Sequence, residues 1–325
     1  MAKKRCAQFR FDSLKNSGVL FLAASLLGSC TTPFTQKSRD PESVKAERIT
    51  AADALPEALT IHGEIFPKEV EAGSIAVVQL KLPASFRAQA EQGNLSGDFE
   101  GITLPFFSVA TPNGPEFESI VSVPYERKPG PAKVTFGKLE IPFTVIDGNY
   151  SSESLRVDGS RVQPTRSKIL KRIMKERAEV GKLYKRVTNQ KAWTGPFVFP
   201  LNAHKVTSAF GTKRVYNGRL KNFHTGLDLK APQGTPVYSA APGTVVLAKN
   251  LFYTGNTVIV DHGYGVMTLY AHMSRLKVKK DQPIKTRQLL GLSGKTGRVN
   301  GPHLHWQAVV HQVKVNPTAL TKLLR

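Results

Sequence analysis

Two short motifs in the last third of the chain carry side chains that bind metals. The first is His224-Thr225-Gly226-Leu227-Asp228, which places an imidazole and a carboxylate four residues apart. The second is His303-Leu304-His305, which follows the turn-forming pair Gly301-Pro302. Because alternate residues of an extended strand point to the same side, each motif can direct its side chains at one point. Each motif alone is a weak signal, but together they predict a nitrogen and oxygen ligand set suited to zinc, with one position open to water.

The same part of the chain restricts which residue can act as a general base. Residues 190–325 contain no glutamate, and their only acids are Asp228, Asp261 and Asp281. The glutamate base of an H-E-x-x-H protease therefore cannot come from this segment. Histidine, with an ordinary pKa near 6.5, is suited to take a proton from water and return it to a leaving amine. A further histidine, His272, ends a strand-like run and is a candidate for this chemistry.

Other motifs in this segment have simpler interpretations. The run from Asp261 to Gly265 lies between two strand-like stretches, which favours a hairpin turn over the alternative of a second metal site. Gly294-Lys295-Thr296 is similar to the end of a phosphate-binding loop, but the required first glycine would fall at position 289, which is Leu. No nucleotide site is predicted. His204 and His311 are isolated, and we expect them to be structural or exposed.

The first thirty residues have the three-part layout of a secretory signal. A basic start is followed by a nine-residue apolar run, Val19–Leu27, which is far shorter than the about 20 residues of a membrane-spanning helix. The sequence Leu27-Gly28-Ser29-Cys30 resembles a bacterial lipobox, so residues 1–29 are predicted to be a signal peptide and Cys30 to be lipidated. Ordinary signal cleavage is the alternative. Thr31 after the cysteine implies, by the rule for Gram-negative lipoproteins, a periplasm-facing outer-membrane location in the cell envelope.

Charge and periodicity divide the rest of the chain. The formal charge of +22 points to an anionic partner, and it is uneven: net −6 for residues 30–159, +8 for 160–189 and +16 for 190–325. Residues 30–53 are polar, as in a tether, and the short apolar runs of residues 54–157 predict an antiparallel β-sandwich. Apolar residues at helical spacing over 164–189 predict one basic amphipathic helix. We interpret it as a connector packed on a neighbouring domain, with a membrane-surface helix as the alternative.

The stretch from Val206 to Pro317 resembles the lysostaphin/LytM-type zinc metallopeptidases of bacterial cell-wall metabolism. The resemblance covers about a third of the chain and rests on five blocks in the family's order. These are Thr207 to Gly211, His224 to Asp228, Ala231 to Val237, Leu269 to His272, and Gly297 through Gly301-Pro302-His303-Leu304-His305.

The resemblance implies a role for six residues. The metal ligands fall on His224, Asp228 and His305, and the two catalytic histidines that are not ligands fall on His272 and His303. Tyr216 lies roughly where the family has a tyrosine that stabilises the tetrahedral intermediate, although a loop residue without that role is an equal alternative. The family pattern is broken at Asp281, where glycine is common, and at Gln307, where glutamate is common. Neither departure is expected to touch the site.

The resemblance also implies a fold and a function. We expect a mainly β protein with an N-terminal Ig-like β-sandwich, a connecting helix, and an antiparallel β peptidase domain over residues 191–318, with a groove and one Zn²⁺. The implied activity is hydrolysis of peptide bonds in the stem or cross-link peptides of peptidoglycan, with the D-alanine to meso-diaminopimelate cross-link as the target in a Gram-negative host. The alternatives are a non-catalytic regulator that binds peptidoglycan or activates an amidase, and a lipoprotein that binds an anionic polymer. Secretion argues against a nucleic acid partner. The opposite charges of the segments raise the hypothesis that the upstream part covers the groove.

Overall fold

The chain is built mainly from β-strands, which confirms the predicted fold class. The structure, a computed structural model, describes residues 61–83, 95–111, 116–155, 167–216 and 220–324. The predicted signal peptide, Cys30 and the polar tether lie outside these residues. Within the described residues, no helix is both long enough and apolar enough to cross a membrane.

The N-terminal part consists of two sheets packed face to face. A four-stranded sheet has the order β1-β3-β7-β6, and a five-stranded sheet has the order β2-β9-β8-β4-β5. The strands are β1 (His62–Phe66), β2 (Glu69–Glu71), β3 (Ile75–Lys81), β4 (Ser96–Phe99), β5 (Ile102–Pro105), β6 (Phe107–Val109), β7 (Glu116–Ser122), β8 (Gly130–Phe136) and β9 (Leu139–Ile146).

The four-stranded sheet is buried on both of its faces. On β3, Val78 and Leu80 join the core shared with the five-stranded sheet, whereas Ile75 and Val77 join a second core that contains C-terminal residues. A near-continuous apolar run is typical of a strand with two buried faces. Each such side chain contributes about 1.5–3 kcal/mol when fully buried. The N-terminal sheets and the C-terminal part of the chain therefore share a hydrophobic core.

The C-terminal part contains three sheets. The largest has the order β11-β14-β22-β18-β17-β16-β20, with β23 paired to β22; the others are β10-β12-β13 and β15-β21-β19. The strands are β10 (Ser152–Leu155), β11 (Val206–Ser208), β12 (Lys213–Tyr216), β13 (Leu220–Phe223), β14 (Leu227–Lys230), β15 (Pro236–Tyr238), β16 (Gly243–Leu251), β17 (Gly255–Gly263), β18 (Val266–Met273), β19 (Arg275–Leu276), β20 (Pro283–Ile284), β21 (Leu289–Leu292), β22 (His303–Val310) and β23 (Val313–Val315), and a helix, α2 (Pro317–Leu323), follows.

The two faces of the large sheet pack against different partners. One face, with Leu304 and Trp306 of β22, belongs to the core shared with the N-terminal sheets. The other face carries a smaller apolar cluster that includes Val309 of the same strand. This alternation is the period of two expected of a β-strand. The alternation therefore determines which side chains of β14 and β22 lie on the face opposite the main core.

The connecting helix α1 (Ser167–Tyr184) covers part of that second face. Val180, Leu183 and Tyr184 pack against the smaller apolar cluster of the sheet. Polar contacts reinforce the packing, because Glu179 pairs with Lys249. The helix lies inside the predicted span 164–189, and apolar residues of its C-terminal half pack on the sheet.

The run from Asp261 to Gly265 connects β17 to β18 as a hairpin, so the hairpin interpretation is confirmed. Gly263 in this hairpin also allows the main chain at Gln190 to approach closely. Gly263 has a φ of 93°, and a Cβ atom there would lie 1.6 Å from the Gln190 carbonyl oxygen. Next to it, Tyr264 packs against Phe107 of the N-terminal sheet, with ring centroids 4.7 Å apart.

Candidate active site

Asp228 and His305 face each other across two paired strands. β14 pairs antiparallel with β22, and the register places Asp228 opposite His305. Their neighbours Leu229 and Leu304 are buried in the main core, so the alternation of a strand turns Asp228 and His305 to the opposite face. His224 lies in the turn just before β14, and its ring reaches the same point.

Three ligand-type atoms converge at this point. Nε2 of His224 lies 3.1 Å from Oδ1 of Asp228 and 3.1 Å from Nδ1 of His305. Nδ1 of His305 lies 2.9 Å from the same carboxylate oxygen. The three residues are therefore brought together as the sequence predicted.

The donor set of this cluster fits a metal ion. Nδ1 of His224 lies 2.9 Å from the Ala209 carbonyl oxygen, which can only accept, so Nδ1 donates and Nε2 of the neutral ring holds the lone pair. That lone pair faces a carboxylate oxygen in a largely buried site, and two acceptors in contact need a cation or a proton between them. A nitrogen and oxygen set of three protein ligands is the type found in catalytic zinc sites.

His272 and His303 lie beside the cluster, with their ring centroids 4.9 Å apart. Nδ1 of His272 lies 2.9 Å from the Thr296 carbonyl oxygen, and Nδ1 of His303 lies 2.9 Å from the Gly301 carbonyl oxygen. Both Nδ1 atoms therefore donate, and both Nε2 atoms are left as acceptors. Nε2 of His303 lies 3.6 Å from Oδ1 of Asp228. Each of the two rings is thus placed to take a proton from a group that lies next to the three ligand-type atoms.

His272 has an unusual backbone conformation. Its φ of 63° lies in the left-handed region, which a residue with a Cβ atom seldom adopts. It is the second-last residue of β18, and its N–H donates to the Thr254 carbonyl oxygen at 2.9 Å. Such strain is concentrated at functional sites, where the surrounding structure holds it in place.

Burial controls the protonation states of the site. Burial disfavours the charged form of Asp228, but the contacts with His224 and His305 outweigh it and hold the pKa of this carboxyl well below its usual range. Burial, together with the nearby His305, lowers the pKa of His272 to about 3. Burial also lowers the pKa of His305. At neutral pH Asp228 is therefore a carboxylate and the rings of His272 and His305 are neutral, and for Asp228 and His305 these are the states that metal ligation requires.

Gly226, inside the first motif, leaves room for the ring of His305. A Cβ atom at this position would lie 2.5 Å from the Trp306 carbonyl oxygen and 2.9 Å from Cε1 of His305. Real Cβ atoms essentially never come so close to other heavy atoms. The glycine of the motif is therefore required by the packing of His305 against the main chain.

Tyr216 is the last residue of β12. Its side chain lies outside the described part of the structure, so its role in catalysis stays a prediction.

Asp281, where the family often has glycine, has a φ of 65°, a conformation that glycine adopts most readily.

Gln307 contacts a residue next to the candidate site. Its side chain is buried and accepts a hydrogen bond from Oγ1 of Thr225, which is adjacent to His224, at 3.0 Å. Its amide Nε2 donates to the Tyr184 hydroxyl at 3.2 Å. Neither partner is a predicted site residue. Gln307 lies two residues after His305 on one strand, so both side chains share a face.

The remaining histidines do not join the cluster. His204 is exposed and stacks on Phe199, with ring centroids 3.7 Å apart. His311 is buried in the turn after β22, and its Nε2 lies 2.9 Å from the Tyr264 carbonyl oxygen. Both positions agree with the predicted structural or exposed roles.

Sequence comparisons match the region that holds this cluster. Residues 222–317 match the family described as Peptidase family M23. Peptidoglycan DD-endopeptidase ShyA of Vibrio cholerae serotype O1 is 48% identical over 93 residues, which are 29% of this chain and 22% of ShyA. DD-carboxypeptidase/endopeptidase Mpg of Neisseria meningitidis serogroup B is 36% identical over 121 residues, which are 37% of this chain and 28% of Mpg. The chain spans about a fifth to a third of the length of such curated relatives.

A solved structure extends the similarity upstream of the matched region. The crystal structure of a peptidase M23 homologue from Pseudomonas aeruginosa aligns with a TM-score of 0.51 and 28% sequence identity. The alignment covers 71% of this chain and 88% of that chain. The C-terminal part of the chain is therefore similar to peptidase family M23, the lysostaphin/LytM-type metallopeptidases that the sequence motifs resemble.

Proposed function

We propose that the protein is a zinc-dependent endopeptidase that hydrolyses peptide bonds in the stem or cross-link peptides of peptidoglycan. The observation that carries the proposal is the convergence of His224, Asp228 and His305 with two further imidazoles beside them. ShyA and Mpg, which are similar to this region, are named as endopeptidases. By analogy with the family, the D-alanine to meso-diaminopimelate cross-link is the proposed target.

His224, Asp228 and His305 would hold one Zn²⁺. A bound zinc ion lowers the pKa of a coordinated water to roughly 7 and polarises a scissile carbonyl. The protein supplies the proton transfers, because Nδ1 of His272 and Nδ1 of His303 each donate to a carbonyl oxygen, which leaves both Nε2 atoms as acceptors. One of the two rings takes the proton of the attacking water, and one returns a proton to the leaving amine. Tyr216 is proposed to stabilise the tetrahedral intermediate.

The location and the upstream features are also proposals. Cys30 is the proposed lipidation site, and a periplasm-facing outer-membrane location would place the enzyme next to its polymer substrate. The net charge of +16 on residues 190–325 would attract the free carboxylates of stem peptides. The proposed domain limits are those of the sequence analysis, with the peptidase domain over residues 191–318.

Digestion of purified cross-linked peptidoglycan tests the function. The protein is incubated with the polymer with added zinc, and separately with a chelator, and the released fragments are identified by mass. We expect cross-linked dimers to disappear only with zinc, and the new masses to identify the bond that is cut. The Asp228→Ala variant serves as the matched control. An unchanged dimer content with zinc-loaded protein would overturn the proposal in favour of a regulator that binds the polymer without cutting it.

A further inference from the structure

His224 is held on both sides by residues from the upstream part of the chain. The residue before it, Phe223, stacks on Tyr125, with ring centroids 3.9 Å apart and planes inclined by 8°. The residue after it, Thr225, donates to Gln307, which in turn donates to the Tyr184 hydroxyl. Tyr125 lies between β7 and β8 of the N-terminal sheets, and Tyr184 ends the connecting helix.

The main chain of His224 is tied to a loop that an upstream residue contacts. Its N–H donates to the Thr212 carbonyl oxygen at 2.9 Å, and its carbonyl oxygen accepts from the Gly211 N–H at 2.8 Å. The Gly211 carbonyl oxygen accepts a 3.0 Å hydrogen bond from the Tyr125 hydroxyl. The loop that orients the His224 ring through Ala209 is therefore itself held by Tyr125.

A second tyrosine of the upstream part packs under this loop. Gly211 has a φ of 80°, and a Cβ atom there would lie 2.2 Å from Cδ1 of Tyr150. Tyr150 also packs edge-on against Phe210, with ring centroids 5.7 Å apart, and its hydroxyl donates to the Ala72 carbonyl oxygen. The loop is thus pressed against an aromatic surface that the N-terminal sheets hold in place.

The chain after Tyr150 continues into the same region. β10 pairs in parallel with β12, the strand that follows the Gly211 loop. The Lys213 N–H donates to the Ser151 carbonyl oxygen at 2.8 Å just before that pairing begins. The upstream part therefore completes a sheet next to the candidate site.

We propose that Tyr125 and Tyr184 are positioning residues for the metal ligand His224, so that the upstream sheets and helix act as a scaffold of the active site. The proposal rests on the proposed function, because it takes His224 as a metal ligand. Groups that orient ligands from behind typically change metal affinity by 10–100-fold when they are removed. A scaffold predicts weaker metal binding and slower hydrolysis when these contacts are lost. A cover over the groove would instead predict faster hydrolysis.

Titration of the metal-free full-length protein with Co²⁺, followed by the visible absorption of the bound ion, tests the scaffold. We expect Tyr125→Ala to weaken Co²⁺ binding at least about tenfold and to change the absorption bands, which report ligand geometry. Tyr125→Phe keeps the stack on Phe223 and loses only the hydroxyl, so a smaller loss is expected. Tyr184→Phe removes the acceptor of Gln307 and should also change the bands. In hydrolysis we expect kcat to fall more than KM changes.

Phe107→Leu is the matched control, because Phe107 packs an N-terminal aromatic ring on C-terminal rings that do not touch His224. It should lower thermal stability while Co²⁺ affinity and the absorption bands stay unchanged. Unchanged affinity and bands in both Tyr125→Ala and Tyr184→Phe would overturn the proposal. If Tyr125→Ala does not fold, Tyr125→Phe decides in its place. If the wild-type protein binds no Co²⁺, or His224→Ala binds it equally well, the proposed metal site itself fails, and this outcome is distinct from failure of the scaffold.

Discussion

Two clusters of buried histidine and aspartate lie in the same large sheet, and their ring nitrogens have different partners. In the hairpin, His262 has both nitrogens paired with neutral protein groups: Nδ1 lies 2.6 Å from the Pro242 carbonyl oxygen and Nε2 lies 2.7 Å from Oγ1 of Thr268. In the candidate active site, one nitrogen of His224 is fixed by a carbonyl oxygen and the other faces Asp228. The ring of the first cluster is paired with neutral groups on both sides, whereas the ring of the second has a carboxylate oxygen on one side.

The hairpin aspartate is likewise paired with neutral groups. Oδ2 of Asp261 accepts from the Thr188 hydroxyl at 2.6 Å, and Oδ1 accepts from the Gly263 N–H at 2.8 Å. Asp228, by contrast, has one oxygen in contact with the nitrogens of two histidines. Burial of histidine and aspartate is therefore a poor guide to a metal site. The two clusters differ in the kind of partner around each ring nitrogen, which is neutral in the hairpin and includes a carboxylate in the candidate site.

The largest expected difference between the two clusters appears when the carboxylate of each one is removed in turn. Asp228→Ala should abolish retention of zinc after dialysis and lower peptidoglycan hydrolysis at least about a thousandfold, because the metal loses its only anionic ligand. Asp261→Ala should keep one zinc per chain and lower only the free energy of unfolding. Zinc content is measured by elemental analysis. Full zinc retention by Asp228→Ala would remove the distinction between the clusters.

The next largest effect separates ligands from proton carriers within the active-site cluster. His303→Ala should lower hydrolysis by about 10²–10⁴-fold while zinc stays bound, because a general acid or base contributes about that much. His204→Ala, which changes an exposed histidine, is the control and should leave both properties unchanged. Loss of zinc in His303→Ala would show that the ligand and catalytic roles of this residue and His305 are exchanged.

A smaller effect is expected from the pH dependence of the hairpin cluster. Burial lowers the pKa of His262 to about 4, whereas an unfolded histidine has a pKa near 6.5. Between these values the unfolded state binds the extra proton, so stability falls as the pH decreases from about 6.5 to 4, by on the order of 3 kcal/mol for this group. His262→Asn should be less stable at pH 7 and show a shallower slope in this window. Urea unfolding of the metal-free protein at several pH values measures the slope, and an equal slope in both proteins would contradict the assignment.

The smallest effect is expected at Tyr270, which contacts Thr268, the hydrogen-bond partner of His262 in the hairpin cluster. The Tyr270 hydroxyl lies 2.9 Å from Oγ1 of Thr268 and accepts from the Ala240 N–H at 2.8 Å. Tyr270→Phe should lower the free energy of unfolding by about 1–2 kcal/mol, because buried hydrogen-bonding groups lose a partner. Zinc content and hydrolysis should not change. A loss of zinc in this variant would mean that the two clusters are coupled through the sheet.

Several features of the fold and site followed from local pattern. The period of two placed Asp228 and His305 on one side of their strands, because a strand alternates its faces whatever it packs against. The helical spacing around Ile173 and Val180 predicted the connecting helix, since an amphipathic stripe must be covered by another element. The hairpin at Gly263 followed from turn residues between two apolar runs.

Other features depended on contacts between distant parts of the chain. The stack of Tyr125 on Phe223 joins residues far apart in sequence, and neither side chain differs locally from an ordinary aromatic residue of a strand or loop. The second buried face of β3 likewise needs a partner layer that no local pattern identifies. The partners of Gln307, Thr225 and Tyr184, are likewise not identified by any local pattern.

The sequence by itself determined which atoms can bind a metal and on which face of their strands they lie, because residue chemistry and the two-residue period are local properties. Only the tertiary structure decided that His224 reaches the same point as Asp228 and His305, and that it is held there by Tyr125 and Tyr184. The physical reason is that a ligand set needs its atoms within a few ångströms of one another. Such distances are set by the pairing and packing of elements that are distant in the chain.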